Sequence, residues 1–210
     1  MYFYIVKIVR PAYVLQVAKT NYHHGDLYQQ LLNAGEQALA EMPLEQVSLR
    51  EIARRAGVSH AAPKHHFPTT GHLLGEIAAK GYQTFVKSLG EAADSAQDQT
   101  PQARLHAMGR AYQRFAESHA AAYQLMFGGA GHCAMTPNLV AASFAAWNQL
   151  YDSVLPIVGA GRANAAALHI WSASHGLAML KLANRLPPFV AKHNVEEQEL
   201  QIMLAGLAAE

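Results

Sequence analysis

From residue 24 onward, apolar residues return every three or four positions, the spacing that lines one face of an α-helix. Leu27, Leu31, Ala34, Ala38 and Leu39 mark a first helix over about 25–41, ended by Pro43. Ser48-Leu49-Arg50-Glu51 has the form of a capping box and opens a second, which Gly57 closes. Ser59 is expected to cap a short third helix with Pro63 in its first turn. Thr69 or Thr70 caps a fourth, carrying Leu73, Leu74, Ile77, Tyr82 and Phe85. The small, polar stretch 91–100 reads as a loop. Thr100-Pro101 and Thr136-Pro137 each join a cap to a first-turn proline, starting helices over about 101–117 and 137–156. Another covers about 119–127, before the loop Gly128-Gly129-Ala130-Gly131. Gly159 and Gly161 precede a helix over about 162–185, stopped by Pro187-Pro188, and Asn194 starts the last, about 195–208. No strand pair or fixed-period repeat emerges, so the expected fold is all-α with about nine helices.

Residues 1–18 break the pattern. They are rich in Tyr, Ile and Val, and are set aside as an N-terminal extension of unknown role. Lys7 and Arg10 interrupt the apolar run and no small-x-small site follows, which argues against a secretory signal. Composition narrows the function further. The net charge is only +1 across 210 residues and charged residues are 15% of the chain, so any nucleic-acid contact must come from a local patch. One cysteine excludes a disulfide framework and fits a reducing, cytoplasmic setting. No apolar run reaches the length of a membrane span.

The local patch lies where two short helices meet at a glycine turn, the form of a helix-turn-helix. Ile52 and Ala53 are expected to face inward, Ala56 and Gly57 to allow close passage, and Val58 to pack under the turn. Residues 48–72 hold Arg50, Arg54, Arg55 and Lys64 against Glu51 alone, a local excess of three positive charges, with four histidines among them. Such a motif sets the start of its second helix in the major groove while neighbouring groups grip the phosphates.

The stretch Ser48–Phe67, SLREIARRAGVSHAAPKHHF, with Leu73-Leu74, resembles the DNA-binding half of the TetR/AcrR family of bacterial transcription regulators. Tyr22-His23-His24-Gly25-Asp26-Leu27, Ala111-Tyr112, Arg114-Phe115, Leu125-Met126-Phe127-Gly128 and Trp171 with His175-Gly176 are similar to the branch whose C-terminal part is called the WHG domain. The resemblance implies a three-helix DNA-binding domain over 19–70 and a helical ligand-binding and dimerisation domain over 71–210. It carries phosphate contacts onto Ser48, Lys64, His66 and Thr69 or Thr70. His60, Ala61 and His65, behind Ser59, would face the base edges. Arg50 and Arg54 join this set as helix-borne cations, although Arg54 and Arg55 read equally well as a solvated face. Lys64 departs from the family's usual tyrosine, replacing a rigid ring by a point charge, and Thr70-Gly71 stand where many members carry a lysine or another polar residue.

For the second half the resemblance implies a small-molecule pocket, a homodimer through the helices at 162–185 and 195–208, and repression of a double-stranded DNA operator released by a small apolar or aromatic effector. Met108, Tyr112, Phe115 and His119 form one stripe, Trp147 with Tyr151 a second, and Trp171 with His175 and Met179 a third. Such stripes build cores more often than ligand boxes, and His175 reads as a buried structural histidine or a ligand contact. Two rival readings stay on the page. His23-His24, His60, His65-His66 and His132-Cys133 supply ligand types for a metal-responsive regulator, although no metal site follows from their spacing. His132-Cys133 is also the one candidate pair for an enzyme, but no nucleophile elbow, phosphate loop or zinc-protease motif is present, so no catalytic residue and no cofactor is assigned.

Overall fold

The computed structural model describes residues 24–128, 131–191 and 195–208, so the 1–18 extension, His23, Asn194 and the middle of the 128–131 loop lie outside the described residues. Among the described residues there are α-helices and short 3-10 turns, and no strand. The helices are α1 (His24–Glu41), α2 (Leu49–Arg55), α3 (Thr70–Asp94), α4 (Pro101–Ser118) and α5 (Ala120–Gly128). α6 (Pro137–Val158), α7 (Ala160–Leu182), the short α8 (Pro188–Ala191) and α9 (Val195–Ala208) follow.

Three helix starts share one mechanism. The hydroxyls of Thr69, Thr100 and Thr136 accept from the backbone N–H three residues on, at His72, Ala103 and Leu139, and satisfy a donor the first turn leaves orphaned. Other boundaries differ from the sequence reading. α3 runs into the expected loop as far as Asp94, because Ala93 is buried against the face of α4 that carries Met108 and Ala111. α7 starts at Ala160, with Gly161 inside its first turn rather than before it. It ends at Leu182, and Pro188 opens α8 instead of serving only as a stop.

The short third helix of the sequence reading is a 3-10 turn, Ala62–His65. Its amides bond three residues back, Lys64 to Ala61 and His66 to Pro63, and no side chain caps it, so Ser59 does not fill the expected role. Pro63 has no N–H to give and is buried, which leaves one tight turn in place of a regular α-helix.

α3 is the spine. Leu73, Leu74 and Ile77 on its first half share a core with Leu31 of α1, Ile52 of α2, Leu125 of α5 and Leu139 of α6. Packing therefore continues across the expected 70/71 boundary, which falls at the first residue of α3. Phe85 and Leu89 on its second half belong to another core with α4 and α5, while α7 brings Ala163, Ala166, Ala167 and Ile170 to a third with Leu105, Val154 and Leu207.

Candidate functional site

The turn after α2 is a Schellman motif. Val58 N–H bonds the Ala53 carbonyl at 3.0 Å and Gly57 N–H bonds the Arg54 carbonyl at 3.2 Å. Gly57 has φ 68°, the left-handed region where a Cβ is penalised. Ile52 and Ala53 are fully buried and Val58 packs against the same core, so the next segment leaves α2 in one direction. That segment is open on its outer side: Ser59, His60, Ala61, Lys64 and His65 are exposed. Thr69 at the head of α3 and Arg50 on α2 are also exposed, whereas Ser48, His66 and Thr70 are partly covered.

The capping box is half formed. Ser48 Oγ accepts from Glu51 N–H at 3.2 Å, but the Glu51 carboxylate turns to the arginines instead of the cap. It takes Arg54 through two bonds of 2.8 and 2.7 Å and Arg55 at 2.8 Å, while Arg55 also reaches Glu41 at 2.6 Å. Hydrogen bonds from Arg54 and then Arg55 pull the Glu51 carboxyl down to about 2. The positive patch is thus partly spent within α2. Arg50 and Lys64 are the exposed cations of the motif with no ion-pair partner among the described residues.

The motif is anchored to α3 by aromatic and polar contacts. Tyr28 stacks on Phe67 at 5.1 Å, and its hydroxyl donates to Glu76 at 2.9 Å. Asn138, in the first turn of α6, donates to the same Glu76 oxygen at 2.7 Å. The chain before α6 lies directly on α3: Ala134 N–H bonds the Gly71 carbonyl at 2.8 Å, and Gly75 faces the Ala134 carbonyl. Glycines at 71 and 75 leave the notch this backbone fills.

At the far half of α3 a cavity of about 120 Å³ opens between α3, α4, α5, α6, α7 and α9. Tyr82, Phe85, Tyr112, Phe127, Trp147 and Trp171 supply its rings, with Trp147 and Trp171 meeting edge to face at 6.1 Å. Beside it sits a polar knot. The hydroxyls of Tyr112 and Tyr123 lie 2.9 Å apart, and both reach His175 Nδ1, at 3.3 and 2.7 Å. Burial pushes the Tyr123 phenol up to about 12, and it holds His175 below the usual imidazole range. The knot is therefore neutral near pH 7.

Known proteins bear on this arrangement. The family described as "Bacterial regulatory proteins, tetR family" matches residues 31–77, and "Tetracyclin repressor-like, C-terminal domain" matches 105–205. No curated protein matches the chain. A solved structure of a protein with unknown function from Rhodococcus sp. RHA1 is 31% identical with a TM-score of 0.76, covering 91% of this chain and 100% of its own. A transcriptional regulator from Rhodococcus sp. Rha1 shares the fold at 23% identity and TM-score 0.66, over 86% of this chain and 95% of its own. So does a tetR-family transcriptional regulator from Streptomyces coelicolor, at 20% and 0.66, over 88% and 82%.

This chain belongs to the TetR family. TetR regulators are DNA-binding proteins, and the helix-turn-helix at 49–65 with the helical domain behind it is their architecture. The C-terminal match spans Trp171 and His175-Gly176, consistent with the WHG branch. Within this TetR chain, four of the nine residues named for the pocket, Met108, Tyr112, Trp147 and Trp171, line the cavity. Phe115 is buried against Phe85 at 5.1 Å, and His119 stacks on Phe115 at the C-cap of α4. Tyr151 packs in the α6–α7 core, Met179 is exposed, and His175 sits behind Tyr112 in the polar knot.

Several lining residues went unread as such in the sequence. Tyr82 and Phe85 appear there only as apolar positions of the fourth expected helix, and Leu200 and Met203 fall in the last one, about 195–208. The only signal available was that each stripe is broad enough to meet more than one neighbour. Among the described residues no group of three His, Cys, Asp or Glu is placed to hold a metal. Cys133 is half-buried, and that burial raises its thiol pKa, opposite to what a nucleophile needs. No helix among the described residues is long and apolar enough to cross a membrane.

Proposed function

We propose that the protein represses transcription by binding a palindromic DNA operator as a homodimer, and that a small apolar or aromatic effector in the α3–α9 cavity releases it. The observation that carries this reading is the course of α3. Its capped first turn follows closely on the segment whose Ser59, His60, Ala61, Lys64 and His65 are exposed, and Tyr82, Phe85 and Leu89 further along it line the cavity. A group that moves α3 at one end moves phosphate-gripping atoms at the other. Arg50, Lys64, Ser48, His66 and Thr69 or Thr70 supply the backbone grip, with His60, Ala61 and His65 toward the bases. Arg54, held by Glu51, contributes less.

We propose the dimer through α7 together with α6, in place of the α7 and α9 pairing that the resemblance implies. Leu200, Met203 and Leu207 of α9 are buried in their own chain and leave Ile202 exposed there, whereas Phe144, Leu168, Met179 and Leu180 are large and exposed on α6 and α7. A second copy of this chain fits that face, because a two-fold axis also presents two recognition segments to two half-sites. Effector action requires tighter binding to the conformer whose half-site spacing no longer fits. The test is a footprint on the DNA upstream of the gene across a salt series. A protected palindrome lost steeply with salt is expected, and a folded dimer with no protection on any fragment of a genomic library would refute the reading.

A further inference from the structure

We infer that the effector is an uncharged molecule built on a single ring and bearing one hydroxyl or amide group, which pairs with the Ser174 hydroxyl. This deepens the effector reading above and rests on it.

Size sets the first limit. The cavity measures about 120 Å³, below the roughly 300–1,000 Å³ of sites that hold drug-sized ligands. It is close to the roughly 150 Å³ at which an apolar protein cavity takes up benzene. That volume is filled by one ring.

Charge sets the second. No Asp, Glu, Lys or Arg lines the cavity. Its one histidine, His106, stands 2.9 Å from Glu197, which is outside the lining. A carboxylate or ammonium entering here would lose its water and gain no counter-charge. The aromatic walls suit a ring, which they meet with faces and edges alike.

The polar preference comes from the Ser174 hydroxyl, since the other buried lining atom without a hydrogen bond, His106 Nε2, faces the Glu197 carboxylate at 2.9 Å. Ser174 is only 2% exposed, lines the cavity, and its Oγ has no hydrogen-bond partner. A helical serine ordinarily bonds the carbonyl one turn back, and this one does not. Its own carbonyl accepts from buried Gln113 Nε2 at 3.0 Å, which fixes this turn of α7 in place. The other hydroxyls nearby are engaged: Tyr82 donates to the Met126 carbonyl at 3.3 Å, and Tyr112 is tied into the knot with Tyr123 and His175. A buried hydroxyl without a partner is costly, and a ligand that supplies one recovers that cost.

Three probes of one ring size separate these claims: toluene, p-cresol and 4-methylbenzoate, titrated calorimetrically into the full-length protein and its Ser174→Ala variant. p-Cresol is expected to bind about tenfold tighter than toluene, the worth of one recovered hydrogen bond. 4-Methylbenzoate is expected to bind at least about tenfold more weakly than p-cresol, the mark of a charge left without a partner. Ser174→Ala should erase the p-cresol advantage and leave toluene unchanged, and toluene binding also reports that the variant is folded. Should the variant fail to fold, Ser174→Cys, a weaker hydrogen-bonding group of similar size, should shrink the advantage. Benzoate binding as tight as cresol, or a cresol advantage that survives in Ser174→Ala, would overturn the inference while leaving the cavity reading intact. No binding by any of the three would overturn the cavity as the effector site.

Discussion

The notch that seats residues 132–136 on α3 gives a sharp test of how the two halves are joined. Gly75 is buried, and a Cβ built on it falls inside contact distance of the Ala134 carbonyl oxygen and 3.1 Å from Thr136 Cγ2. The first obstacle is backbone, so no rotamer change relieves it. Gly75→Ala therefore costs the overpacking penalty of about 1–3 kcal/mol. Against that stands a gain of about 1 kcal/mol from replacing glycine in a helix. The net expectation is a loss of up to about 2 kcal/mol, which lowers Tm by up to about 8 °C in a chain of this size. Gly206→Ala is the control, since nothing lies within 4 Å of the place its methyl would take and the helix gain stands alone. Thermal unfolding followed by circular dichroism measures both. The displaced loop also bears on Gly71 and Thr69, so operator affinity of Gly75→Ala should fall while the helix content stays native. A Gly75→Ala protein as stable as the Gly206→Ala control would refute the seat as described.

Other outcomes follow from the same geometry. Lys64→Ala and Arg50→Ala should each reduce the slope of log affinity against log salt by about one, and Arg54→Ala by less because Glu51 already neutralises it. Gly57→Ala should destabilise by roughly 1–2 kcal/mol in chemical denaturation, because φ 68° is retained by the Schellman bonds. Glu51 has a folded pKa lowered from 4.5 to about 2, so its stabilisation is complete above about pH 4.5 and is lost as pH falls toward 2. Glu51→Gln should flatten the acid limb of the stability curve in that window. Phe144→Glu with Leu168→Glu should halve the mass seen by light scattering, and an unchanged mass would move the dimer off α6 and α7.

Features written within a few residues were legible in the sequence. Thr100-Pro101, Thr136-Pro137 and the Ala56-Gly57-Val58 turn find their hydrogen-bond partners within five residues, so their geometry follows from local order. A short helical piece after the glycine turn was legible but not its form or its start, because Pro63 is compatible with the first turn of an α-helix and with a 3-10 turn alike. The cavity was harder. Phe85, Phe115 and Phe127 have similar local surroundings, yet Phe85 and Phe127 face the void and Phe115 does not. Leu200 seats on Gly109, far earlier in the chain, and periodicity within either helix holds no record of that meeting. His119 keeps its helical spacing from Phe115 but lands at the C-cap of α4, off the end of the lining face.

The polar knot has a consequence for alignment rather than for binding. Alanine is the most frequent residue on the buried faces here, as at Ala107, Ala111 and Ala116 on α4 and Ala163, Ala166, Ala167 and Ala178 on α7. Faces of small side chains have shallow ridges, so two such helices can slide by one turn, about 5.4 Å, and still match methyl to methyl. A ruler with identical marks cannot say which mark is zero. Tyr112, Tyr123 and His175 provide the zero: a one-turn slip of α7 against α4 and α5 carries the imidazole out of reach of both hydroxyls and breaks two of the knot's three hydrogen bonds. The helices keep the close approach that alanine permits, and the position along their length is set by three atoms.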